Sequence, residues 1–253
     1  MTAEPSSPPA PAGLPAWSAR PLDFALWLWL LWCVLVISQA AASPLARHFP
    51  ADSLAAAVIL GAASQIASLA IQVFLLLCVP FLSPRPLDAA WISRRHAVIR
   101  GLLDFLVALP LILIVKFVWG IVLYYLHEMQ PSLDLSPQEA VLLFVNGGNP
   151  WLLAAFALLA VALAPINEEL LFRGGLYRFI KSLGRPRLAL AVSSLLFGLA
   201  HFNLLEFLPL VLIGALLVRT YERTGRIIAP IAFHAAFNAT NIALMLLVRA
   251  FNW

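Results

Sequence analysis

The chain has 253 residues, of which 62% are hydrophobic and only 11% charged, and its mean hydropathy is +0.93. That composition excludes a water-soluble globular domain and indicates a polytopic α-helical membrane protein, because apolar runs long enough to cross about 30 Å of hydrocarbon recur along it. The net charge of +4 gives no reason to expect nucleic acid, since the basic residues gather at the ends of apolar segments, where they orient a membrane protein.

In chain order, residues 1–21 form a Pro/Ala-rich tail expected to be disordered. The apolar run that follows is too long for a signal-peptide core and has only Arg20 before it, so a retained first span over about 22–43 is preferred. A second span is expected over about 53–82 and a third over about 101–126, separated by a loop carrying Arg85, Arg94, Arg95 and Arg100. The stretch Ser136-Pro137-Gln138-Glu139 has the form of a capping box and predicts a short helix to Asn146, too short to cross. Asn146-Gly147-Gly148-Asn149-Pro150 then breaks it.

The fourth span starts at Trp151 and runs to Arg178, with Pro165 as a point where it could divide. A fifth is expected over about 188–203, a sixth from Glu206 to Arg219, and a seventh over about 227–250. The fold class is therefore all-α, a transmembrane bundle of about seven spans, between six and eight. Residues 22–149 hold the N-terminal spans and the short helix, and 150–253 hold the part that carries chemistry. Basic clusters follow the even-numbered spans, which by the positive-inside rule puts the N terminus inside and the C terminus outside. Cys33 and Cys78 lie in apolar runs without a motif and read as small hydrophobes.

NEELLFRGGLY (167–177) breaks the apolar habit by placing Glu168, Glu169 and Arg173 inside a span. Each intramembrane charge costs about 2.5–3.5 kcal/mol even on lenient scales. Glu169 and Arg173 are four apart and can pair, whereas Glu168 lies about 100° around the helix and is expected to face elsewhere. His201 lies in FGLAHF, with Phe197 four residues before it, and His234 and Asn238 share a face in HAAFN. Counted at 1.5 Å per residue from the nearest basic cluster, Glu168, His201 and Asn238 all fall at depths of about 18–21 Å. Three separated segments thus place polar groups at one level, as a shared polar cavity requires. A lone intramembrane histidine or ion pair is most simply a packing device; the coincidence of depth is not. Lys116 and Asp104, in the third span, receive no role.

EELLFR (168–173), FGLAH (197–201) and HAAFN (234–238) resemble, in order, the three motifs of the CAAX protease and bacteriocin-processing family, also called CPBP or Abi. That family includes the CAAX prenyl protease 2 type and lysostaphin-resistance-protein-A-like proteins. The resemblance implies an intramembrane endopeptidase in which Glu168, with His201, activates a water. His234 and Asn238 are implied to stabilise the oxyanion, with Glu169, Arg173 and Phe197 in support. The chemistry is coherent: a desolvated carboxylate accepts a proton more readily than one in water, and N–H donors act most strongly in a low-dielectric cavity.

No cofactor is favoured. Zinc held by Glu168, His201 and His234 is the alternative, although the sequence lacks HExxH and the ligands would come from three helices. The expected partners are membrane lipid and a membrane-associated or lipidated peptide substrate. A GC-rich bacterial source, suggested by arginine outnumbering lysine, makes a prenylated CAAX substrate the less expected choice. The expected location is a bacterial cytoplasmic membrane, with the cavity open to the cytoplasmic side. A non-catalytic immunity or binding protein and a proton-coupled transporter are the competing readings.

Overall fold

The computed structural model describes residues 14–251 except 16 and 90, so most of the expected disordered tail, residues 1–13 and 16, lies outside the described residues. Among the described residues eight long helical stretches follow one another, with a single 3-10 turn (Pro80–Leu82) after the second: α1 (Pro21–Ala46), α2 (Leu54–Cys78), α3 (Arg94–Met129), α4 (Glu139–Asn146), α5 (Pro150–Ser182), α6 (Pro186–Leu199), α7 (Leu204–Thr224) and α8 (Ile228–Ala250). No strand occurs among the described residues. Six of the helices, α1, α2, α3, α5, α7 and α8, are long and apolar enough to cross a bilayer. Large apolar side chains such as Val107 and Phe117 face outward, 80% and 70% exposed, as lipid contact requires.

The fifth expected span is not one. α6 has 14 residues, about 21 Å of helix, and so ends within the hydrocarbon. The chain turns there and returns as α7, which runs antiparallel to α3: Thr220 Oγ1 donates to Asp104 at 3.1 Å and Trp119 Nε1 to the Leu204 carbonyl at 2.9 Å. Because α3 continues from Trp119 to Met129, the α6–α7 turn is recessed by about 15 Å from the end of α3. The loop before α4 covers this recess, and Asn203 Nδ2 donates to the Ser136 carbonyl at 3.0 Å.

The capping box does not form. α4 begins at Glu139 after Gln138, with no side-chain cap. Ser136 is instead held in a turn by Asp134, whose Oδ1 accepts the Ser136 backbone N–H at 2.9 Å; hydrogen bonding from Ser136, its side chain first and its backbone second, keeps that carboxyl below the usual carboxylate range. At the opposite end of the bundle the arginine-rich loop after α2 is strapped to the α7–α8 turn. Asp88 accepts from Arg226 Nη1 at 3.2 Å and from the Ile227 N–H at 3.0 Å, and Arg226 Nε donates to the Ile92 carbonyl at 2.7 Å. Gly225 makes that turn possible, with φ of 63° in the left-handed region.

The end of the tail is packed rather than loose. Trp17 is buried against Trp27, Phe24 and Phe179, and the fully buried Arg178 donates to the Pro15 carbonyl at 2.8 Å and the Pro84 carbonyl at 2.5 Å. Arg178, expected from the sequence as the end of the fourth span, thus ties three segments together through its guanidinium.

The main apolar core joins Phe105 and Ile112 of α3, Phe172 of α5, Phe197 of α6, Ile213 and Leu217 of α7, and Phe233 of α8. α3 and α8 meet where Gly101 abuts the Ala229 backbone carbonyl, with no room for a Cβ. Gly101→Val is expected to force these helices apart and lower the unfolding temperature in detergent, at a cost of about 1–3 kcal/mol.

Candidate active site

The helix that carries the two glutamates is irregular where they lie. In α5, Leu159–Leu163 and Glu169–Tyr177 are π-helical, a local winding frequent at functional sites. The Ala164 N–H donates five residues back, to the Leu159 carbonyl. In that register residue 165 would serve the Ala160 carbonyl, but Pro165 has no N–H to give. Asn238 of α8 supplies the missing donor, with Nδ2 at 2.7 Å from the Ala160 oxygen. One amide hydrogen of Asn238 is thus committed to a backbone acceptor that a proline left unserved, and the other has no acceptor among the described residues. Asn238→Leu is expected to lower stability by about 1–3 kcal/mol through that carbonyl. Pro165→Ala, which restores an N–H, is expected to recover most of the loss in thermal unfolding without recovering any activity that needs the amide.

One turn further along, Glu169 and Arg173 are completely buried and joined at 2.9 Å. Arg173 Nη2 also donates to the Gly214 carbonyl at 3.1 Å, and the guanidinium lies 4.4 Å from the Phe197 ring centroid. Phe197 therefore touches this cation and both imidazoles, whose ring centroids stand 5.1 Å (His201) and 5.6 Å (His234) away. The pairing expected from the sequence is present, but Glu169 does more than hold Arg173. The same oxygen, Oε1, lies 2.9 Å from Nδ1 of His234.

The two glutamates do not face apart. Glu168 Oε2 stands 3.8 Å from Nε2 of His234, while Glu169 holds Nδ1 on the other side of the same ring. Glu168 Oε2 is also 4.0 Å from Nε2 of His201. Residues 100° apart on a helix can both reach one imidazole, because its two nitrogens lie on different edges. His201 Nδ1 is 2.8 Å from the Phe197 carbonyl. A carbonyl and a carboxylate only accept, so each Nδ1 carries its hydrogen and each Nε2 is turned towards Glu168. Glu168 Oε2 is buried and has no hydrogen-bond partner among the described residues.

His201, His234 and Asn238 line a cavity of about 410 Å³, and Glu168 stands beside the two imidazoles without being one of the lining residues. The remaining wall is mostly apolar and includes Val141 and Val145 of α4 and Met245 and Val248 of α8. It extends towards the end of the bundle where Arg249 meets the Val145 and Gly147 carbonyls, away from the arginine-rich loop.

A polar contact from α2 was not anticipated. Asn167, next to Glu168, accepts from Gln72 Nε2 at 3.0 Å and donates to Gln65 Oε1 at 2.7 Å. It anchors the glutamate-bearing turn to α2. The signal was present: Gln65 and Gln72 stand seven apart, on one helix face, within an apolar span.

Three donors sharing one tetrahedral zinc at bonds of about 2.0–2.1 Å would lie roughly 3.3 Å apart. The separations of 4.0 and 3.8 Å exceed this, and they suit a molecule about 2.8 Å from each group by hydrogen bonding. Among the described residues, no group of three or more His, Cys, Asp and Glu is placed to hold a metal ion. As arranged, Glu168, His201 and His234 do not fit zinc.

Residues 150–240 match the family model described as type II CAAX prenyl endopeptidase Rce1-like. UPF0177 protein YbdI of Lactococcus lactis subsp. lactis (strain IL1403) is 34% identical over 132 residues, covering 49% of this chain and 68% of that protein. No solved structure matches. All seven motif residues, from Glu168 to Asn238, fall within the matched stretch, and with 34% identity over most of a curated relative the chain belongs to the Rce1-like CAAX endopeptidase family, the CPBP family.

Proposed function

We propose that this integral membrane protein is an endopeptidase that hydrolyses a peptide bond of a membrane-associated or lipidated substrate without a metal. The observation that carries this reading is the approach of Glu168 Oε2 to both Nε2 atoms, at 4.0 and 3.8 Å, beside the cavity. A water seated between them donates one hydrogen to Glu168 and one to His201, leaving a lone pair for attack on a carbonyl carbon. As the C–O bond forms, Glu168 takes the proton and the carbonyl oxygen becomes an oxyanion. The free amide N–H of Asn238 and, in its imidazolium form, Nε2–H of His234 stabilise that charge, with Glu169 as the counter-charge. Glu168 then returns its proton to the departing nitrogen, the C–N bond breaks, and a carboxylic acid, which keeps the water's second hydrogen, and an amine leave. Surrounding lipid and the outward-facing apolar side chains hold the substrate at the same depth.

With the arginine-rich loops in the cytoplasm, the cavity wall extends towards the opposite leaflet, so the cytoplasmic opening expected from the sequence is not part of this proposal. The test compares short peptides released in membranes from cells carrying the wild type or Glu168→Gln. Fragments lost in the variant and regenerated by purified wild type support proteolysis. Identical peptide pools with a folded variant refute it.

A further inference from the structure

Asp104 of α3, which the sequence left without a role, gathers arginines at the arginine-rich end of the bundle. Arg100 Nε lies 2.9 Å from its Oδ1, and Arg223 Nη1 of α7 stands 3.8 Å from the same oxygen, while Thr220 Oγ1 donates to Oδ2 at 3.1 Å. Asp104 is nearly enclosed, yet the two arginine side chains remain 42% and 49% exposed. Arg219, one turn before Arg223 on the same side of α7, is exposed and has no hydrogen bond or ion pair among the described residues. Three guanidiniums therefore share one carboxylate, and two positive charges are left over. The other described acids at this end cannot offset them: Asp23 is paired with Arg20, Asp88 with Arg226 and Glu222 with Lys181.

The surface next to these charges is apolar and faces lipid. Leu103, Val107, Leu111, Ile114 and Val118 are all exposed. By helical geometry they lie within about 40° of a common direction on α3, the side that also carries Arg100. The far flank of α3 is closed by α8, where Gly101 meets Ala229, and Asp104 between the two flanks faces α7. The exposed stripe is about 22 Å long by helical rise, more than one leaflet's share of the hydrocarbon, about 15 Å. Unpaired guanidiniums at one end and an apolar run beside them match an amphiphile, whereas a soluble anion or an acidic protein would use only the charges. Guanidinium N–H groups fit phosphate oxygens two at a time. A zwitterionic headgroup brings its own cation, so the surplus positive charge selects one that is negative overall.

We propose that Arg100, Arg219 and Arg223 bind the phosphodiester of an anionic phospholipid in the leaflet at the arginine-rich end. Its acyl chain lies along the α3 stripe, and Asp104 holds Arg100 and Arg223 at the α3–α7 seam. The site is separate from the cavity and stands whether or not the chain hydrolyses peptides. It also differs from the general attraction of basic segments to anionic membranes, which depends on total charge near the surface. Here the position of the arginines decides, so removing equal charge elsewhere at the same end should leave binding intact.

The experiment is native mass spectrometry of the full chain in detergent micelles holding equal amounts of phosphatidylglycerol and phosphatidylcholine, which measures the lipid retained. The wild type is expected to favour phosphatidylglycerol about tenfold. Arg219→Gln should lower that ratio about threefold. Arg219→Gln/Arg223→Gln, which keeps Arg100 on Asp104, should bring it near one. Arg185→Gln/Arg187→Gln removes the same charge from exposed arginines at the start of α6 and should keep the wild-type ratio. Arg219 has no partner to lose, so its single variant keeps the test decisive if a double variant folds poorly. A wild type without preference, an unchanged ratio in Arg219→Gln, or an equal loss in Arg185→Gln/Arg187→Gln overturns the proposal. Displacement of the lipid by equimolar glycerol phosphate or hexaglutamate would assign the arginines to a soluble anion or an acidic partner, and overturns it as well.

Discussion

Glu168→Gln is expected to lower peptide-bond hydrolysis about 1000-fold while leaving the fold intact. The amide has the size of the carboxylate but cannot take a proton from water, and positioned general-base catalysis contributes about 10²–10⁴ in rate. Nothing structural is lost in the exchange: Glu168 Oε2 has no hydrogen-bond partner among the described residues, and its side chain is 25% exposed. Unfolding temperature should therefore hold while turnover collapses. His201→Ala should fall in the same direction by about 100-fold, since Glu168 would still accept the proton. Wild-type turnover should also survive a zinc chelator, as the 3.8 and 4.0 Å separations imply. Comparable loss of turnover and unfolding temperature in Glu168→Gln would reassign the residue to packing.

Glu169→Ala is expected to do the opposite and compromise the fold first. Its carboxylate is fully buried and serves both Arg173 and His234 through Oε1, each at 2.9 Å. Removing it strands the guanidinium of Arg173, which is also 0% exposed. Breaking one side of such a buried pair costs about 3–5 kcal/mol, enough to reduce the yield of folded protein in detergent. Replacing both members, Glu169→Leu with Arg173→Met, removes the stranded charge and should recover most of the stability. Hydrolysis should not return with it, because His234 would still lack its Nδ1 acceptor. A double variant that is stable and fully active would show that Glu169 serves the fold alone.

The motif residues were legible because charge is rare in this chain, so Glu168, Glu169, His201 and His234 stand out in apolar runs. Their common depth followed from helical rise and the positions of the basic clusters. What the sequence concealed depends on local winding and on ring geometry. The sharing of His234 between two adjacent carboxylates cannot be seen from a helical wheel, which sends residues 168 and 169 in different directions. The use of Asn238 against the Ala160 carbonyl requires the π register that Pro165 leaves open. α6 read as a crossing because its apolar pattern continues into the turn at Ala200, and hydropathy does not distinguish a helix that crosses from one that stops midway. The role of Arg178 was not visible because arginines at span ends ordinarily reach water, whereas this one is enclosed by backbone carbonyls.

The clasp of Arg178 on the carbonyls of Pro15 and Pro84 also bears on the order of assembly. During synthesis Pro15 and Pro84 leave the ribosome long before residue 178 has been made, so the donor for their two carbonyls does not yet exist. These carbonyls must wait for the guanidinium until α5 has been inserted. Only then can the segments before α1 and before α3 be locked to α5, which makes this junction a late event in biogenesis.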